Sequence, residues 1–97
     1  MKRIAILDHA YSIEELERRI RDAGHERAYD LATADVVFLG HERHATPEDI
    51  RRRGYRGPIV VLGCSCSPAP ERYDGPWLCS ETATPRDIEG LVEQLAA

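Results

Sequence analysis

Little in this 97-residue chain marks it for a membrane, for export or for a nucleic-acid backbone. No apolar run approaches the roughly 20 residues of a membrane-spanning helix. The stretch from Met1 is halted at Asp8 after Ile4-Ala5-Ile6-Leu7, too few apolar residues for a signal peptide, so a cytoplasmic location without membrane contact is expected. Cysteine is scarce, at three residues, and in a chain without a secretory signal it does not make a disulfide framework; reduced thiols are the expectation. Positive charge is in deficit, 13 Lys+Arg against 17 Asp+Glu for a formal net charge of −4, which disfavours nucleic acid as a partner. A chain this short buries roughly 60–65% of its unfolded surface, so a monomer is feasible but marginal and a partner would help.

What is present reads as one small α/β domain spanning residues 1–97. Ile4-Ala5-Ile6-Leu7, Val36-Val37-Phe38-Leu39 and Ile59-Val60-Val61-Leu62 are apolar without alternation, as strands buried on both faces of a parallel sheet require. Trp77-Leu78-Cys79 is a weaker strand, and the polar segment from His25 to Asp30 reads as an edge strand or a loop, with His25 a helix-exit residue. Ile13, Leu16, Ile20 and Ala23 recur at helical spacing, with Ser12 and Glu15 as a capping box and Gly24 just past the end. Thr46-Pro47-Glu48-Asp49 and Thr84-Pro85-Arg86-Asp87 share one start signal, Thr as cap and Pro at the first helical position. The first helix so opened must end by Gly54 or Gly57, and the second runs through Leu91 and Leu95. Leu31 to Ala34 is too short to hold a helix, and Pro68, Pro70 and Pro76 break any helix in Cys64 to Pro76. Right-handed crossovers then give a doubly wound open parallel sheet of about five strands in the order 2-1-3-4-5 with three helices. The first and last helices cover one face and the short middle helix covers the other only in part, which predicts a packed proline-rich loop or a homodimer surface.

Arg3-Ile4-Ala5-Ile6-Leu7-Asp8, Ala34-Asp35-Val36-Val37-Phe38-Leu39-Gly40, Gly57-Pro58-Ile59-Val60-Val61-Leu62-Gly63 and Thr84-Pro85-Arg86-Asp87-Ile88-Glu89-Gly90-Leu91-Val92 are laid out like strands one, three and four and the last helix of a known family. Over essentially its whole length the chain resembles the receiver domain of two-component response regulators. The resemblance implies a flavodoxin-like fold with shortened or missing second and fourth helices, and a signalling role. A working receiver carries an acidic pair after strand one for magnesium, a phosphoacceptor Asp ending strand three, Ser or Thr ending strand four and Lys ending strand five. Those positions here read Asp8-His9, Gly40, Gly63 and roughly Ser80, so only Asp8 matches. The one lysine is Lys2, and no realignment restores the missing one. The chain is therefore similar to a degenerate receiver, for which phosphoryl transfer by the aspartate mechanism is not expected. Family analogy implies a non-catalytic regulatory module acting through protein contacts, expected to be a homodimer. Its contact surface would lie on the last strand and last helix, around Trp77, Leu78, Ser80, Arg86 and Leu91.

Ligands of open parallel sheets bind at the carboxyl ends of the strands. There the sequence places Asp8, His9 and Tyr11, then His41, Glu42 and His44, then Cys64 and Cys66, then Cys79, Ser80 and Glu81. Imidazole and thiolate together suit Zn²⁺ or another transition metal, and His41, His44, Cys64 and Cys66 are the first four candidate ligands, with Cys79, His9 and Asp8 as further ones. The alternatives are buried strand-end cysteines beside solvated histidines, or thiol chemistry at Cys64 and Cys66. A metal-binding or thiol-redox sensor is thus the competing function, and no catalytic residue is nominated. Gly63-Cys64-Ser65-Cys66-Ser67 lacks the features of a phosphate-binding loop. Arg51, Arg52, Arg53 and Arg56 form the one concentrated basic patch. It reads as a solvated helix end balanced by Glu48 and Asp49, or as a contact for an acidic protein partner or nucleic acid, with Tyr55 as a stacking residue.

Overall fold

A computed structural model of the protein describes residues 1–7, 13–40, 46–63, 76–79 and 83–96. In chain order these form β1 (Arg3–Leu7), α1 (Ile13–Asp22), β2 (Glu26–Ala28), β3 (Val36–Leu39), α2 (Pro47–Arg52), β4 (Ile59–Gly63), β5 (Trp77–Cys79) and α3 (Pro85–Ala96). The five strands make one sheet, parallel throughout, in the expected order β2-β1-β3-β4-β5. It is a small doubly wound α/β fold, and the polar segment after His25 supplies the edge strand β2.

The helix signals act through the groups they name. Thr46 caps α2: its hydroxyl accepts from Asp49 N at 3.3 Å while the Asp49 carboxylate accepts from Thr46 N at 2.9 Å. Thr84 and Asp87 repeat this reciprocal pair on α3, at 3.2 and 3.0 Å. Two orphan N–H groups are satisfied at each helix start. Gly24 has φ +88°, donates to Arg21 O, and lets His25 N reach back to Ile20 O at 3.1 Å. That pairing closes α1 with a left-handed residue, which glycine adopts without steric cost. Ser12, the expected cap of α1, lies outside the described residues.

Strand alternation sorts the core into two layers. Ile4, Ile6, Val36, Phe38, Val60 and Leu62 face α1 and α3, where Leu16, Ile20, Ile88 and Val92 close over them. Ala5, Val37, Leu39 and Ile59 face the other way and, among the described residues, cluster with Ala28, Ile50 of α2 and Tyr55 beyond it, with Leu7, Leu31 and Ala34 packed against them. Among the described residues, six-residue α2 presents one buried side chain, so this second face has far less helical cover than the first, as the helix count implied. The amino ends of β1 and β3 are tied by Asp35, whose N–H donates to Arg3 O at 2.7 Å while its carboxylate accepts from Arg3 N at 2.9 Å.

Candidate functional site

All strands being parallel, β1, β3, β4 and β5 end on one edge of the sheet, with Leu7 beside Leu39 and Gly63 beside Cys79. The candidate metal ligands follow these strands in the chain. Asp8, His9, His41, His44, Cys64 and Cys66 themselves lie outside the described residues, as does Ser80, and Cys79 enters only through the backbone of β5. Among the described residues, no group of three or more His, Cys, Asp or Glu is placed to hold a metal ion.

Two of the positions at which the sequence departs from the receiver motif, Gly40 and Gly63, are among the described residues. β3 runs into Gly40, whose N–H donates to Leu7 O at 2.7 Å, and β4 ends at Gly63; neither carries a side chain that a phosphoryl group could join or a hydroxyl that could hold one. Lys2 precedes β1 and so sits at the amino edge, about 17 Å of extended strand away from the carboxyl ends. Its backbone N–H donates to His25 Nδ1 at 3.1 Å, while Nε2 of that ring is buried and has no partner among the described residues. Burial, with the nearby N-terminus adding to it, pushes the His25 imidazole below its ordinary 6.5, against Glu89 and Glu93, which pull it upward.

The β5–α3 surface divides. Trp77 is 49% exposed and Arg86 is exposed, whereas Leu78 and Leu91 are partly buried and pack onto the α1/α3 core. Trp77 pairs in register with Val61 and, by alternation with Leu78, stands on the less covered face.

The basic patch divides as well. Arg51 is structural: Nη1 donates to Gly57 O and, at 3.2 Å, to Tyr55 O, closing the loop after α2. Arg52 pairs with Asp49 at 3.1 Å and with Glu48 at 3.6 Å. Arg53 and Arg56 have no side-chain partner among the described residues, and both are exposed. Tyr55 is not available to stack on a base, because its ring is buried in the second core layer with the hydroxyl donating to Pro58 O at 3.0 Å. Burial, with Asp35 nearby, raises its phenol to about 12 even though Arg51 pulls the other way.

No sequence signal singled out Asp35 or Gly57, since their roles depend on strand register and on where the Tyr55 ring lies. Among the described residues, no helix is long and apolar enough to cross a membrane. Comparison with protein-family models, with curated proteins and with solved structures found no match.

Proposed function

We propose that this chain is a non-catalytic regulatory module, built like a degenerate response-regulator receiver, which works through protein contacts on its β5–α3 side and forms a homodimer there. The observation that carries the reading is Trp77, an aromatic half-exposed on the three-residue edge strand β5, on the face of the sheet opposite α3, so that the contact is centred on the β5 edge. Exposed aromatics are enriched in the centres of interfaces, and an edge strand leaves backbone donors and acceptors unpaired for a partner. Glycine at the two strand ends and a lysine at the wrong edge support a role without aspartyl phosphorylation.

Sedimentation equilibrium from micromolar to millimolar protein tests this. The wild type is expected to dimerise and Trp77→Ala to stay monomeric with an unchanged thermal midpoint. A wild type that remains monomeric throughout refutes the homodimer, and stable labelling by acetyl phosphate refutes the non-phosphorylated reading.

A second reading rests on the adjacency of β3, β4 and β5, because the segments carrying His41, His44, Cys64 and Cys66 leave neighbouring strands at one edge. It makes the module a transition-metal or thiol sensor. Elemental analysis of protein purified without tag or chelator, with thiols counted before and after denaturation, decides it. About one equivalent of metal with protected thiols supports the sensor, whose first ligands are then replaced singly. Metal-free protein with freely reacting thiols rejects it.

A further inference from the structure

We propose that the cleft at the amino edge of the sheet is a binding site for a small ligand with a phosphate or carboxylate at one end and an amine or amide N–H at the other. The cleft lies between the β2–β3 turn and the α2–β4 loop, on the edge opposite the candidate metal ligands. Its volume, about 540 Å³, falls in the range of small-molecule sites, roughly 300–1,000 Å³. Leu31 and Ala34 supply an apolar wall, while Arg53, Arg56, Asp35 and Tyr55 supply the rest of the lining used here.

The charges explain the ligand class. In a chain with four more acids than bases, cations are generally taken up by carboxylates, and α2 follows that rule at Arg52. Arg51 is consumed by the carbonyls of its own loop. Of the four arginines in the 51–56 cluster, the two left without partners among the described residues, Arg53 and Arg56, are the two that line the cleft; Arg86, likewise unpaired among the described residues, lies apart from it on α3. A guanidinium offers a planar fork that matches carboxylate or phosphate oxygens two at a time, so two unpaired arginines lining one cavity suit an anionic group. Asp35 sets the opposite requirement. One carboxylate oxygen is occupied by Arg3 N at 2.9 Å, and the other has no partner among the described residues, so this side of the cleft accepts a hydrogen. A bare anion leaves it unmatched and repelled, whereas a ligand that also donates satisfies both ends.

The frame that holds these groups is rigid in its chemistry. Tyr55 is anchored by its buried ring and by Pro58 O, Arg51 spans Tyr55 O and Gly57 O, and Asp35 is locked to β1 through both its N–H and its carboxylate. A site whose supports are already bonded loses little freedom when a ligand enters. The inference is independent of the receiver-like reading and of any metal.

Two-dimensional ¹⁵N–¹H spectra of the full chain, recorded at fixed ionic strength with pyrophosphate, glutamate and adenosine monophosphate as separate probes, test it. The expected result is saturable shifts confined to residues 31–35 and 53–57, with at least one probe binding at millimolar concentration or below. Arg53→Gln combined with Arg56→Gln should weaken that probe at least tenfold while leaving the rest of the spectrum unchanged. Asp35→Asn should tighten pyrophosphate, by removing a like charge, and weaken whichever of glutamate and adenosine monophosphate binds. The relative affinities of the three probes separate a phosphate from a carboxylate ligand. Shifts that fail to saturate with every probe, that chloride reproduces, or that survive the double substitution overturn the proposal.

Discussion

The guanidinium of Arg51 lies over the ring of Tyr55, 5.8 Å from its centroid, while the same side chain donates to the backbone carbonyls of Tyr55 and Gly57. One residue at the end of α2 thus holds a loop, a buried phenol and the start of β4 together. Arg51→Ala removes a charged donor from two carbonyls and a cation from an aromatic face. A loss of about 1–2 kcal/mol is expected, read as a lower urea midpoint at unchanged slope. Arg53→Ala, on the same exposed turn but without those bonds, should change stability by less than about 0.5 kcal/mol.

Gly57 has no room for a side chain. A Cβ there would meet the Tyr55 hydroxyl in a clash and its ring carbon at 2.7 Å. Tyr55 cannot swing aside freely, because its ring is buried and its hydroxyl is held by Pro58 O. Gly57→Ala should therefore cost about 1–3 kcal/mol as overpacking, measured by thermal unfolding. The companion change Tyr55→Phe should be milder, about 0.5–1.5 kcal/mol, because Pro58 O keeps the bond from Val37 N.

Tyr55 also makes an alkaline prediction. Its phenol is raised from 10.0 to about 12, so the folded state prefers the neutral ring, and its contribution is complete below pH 10 and is lost as pH climbs toward 12. Absorbance titration of the four tyrosines should show a late step near 12 that Tyr55→Phe removes. A late step that persists in that variant would assign it elsewhere.

At acid pH the relevant group is His25. Its folded pKa lies below 6.5 because burial disfavours the charged ring, and the neutral ring accepts from Lys2 N. The unfolded chain binds the proton first, so stability is full above pH 6.5 and falls as pH drops below it. His25→Asn keeps an acceptor for Lys2 N without a titrating ring. It should flatten the fall in chemical-denaturation midpoint between pH 6.5 and 5, leaving only the carboxylate-dependent loss at lower pH.

Much of the fold was legible because its causes are local. Four-residue apolar runs, the Thr-Pro-x-Asp starts at Thr46 and Thr84 and the glycine after Ala23 act within a few residues of themselves, and each formed the element it signals. Their order along the chain, with right-handed crossovers, was enough to set the strand order. The candidate ligands at the carboxyl edge were legible only as positions in that order.

The sequence by itself therefore determined the elements, the sheet and the imbalance between its two faces. Tertiary structure alone decided which arginines of one cluster are spent and which face a cleft. It also buried Tyr55, exposed Trp77 and turned Asp35 into a clasp between β1 and β3. The physical reason is range: caps and apolar runs are governed by neighbours in the chain, whereas the partner of a long side chain is set by groups brought beside it from a distant segment. Arg3 and Asp35, thirty-two residues apart, meet only because two parallel strands share a register.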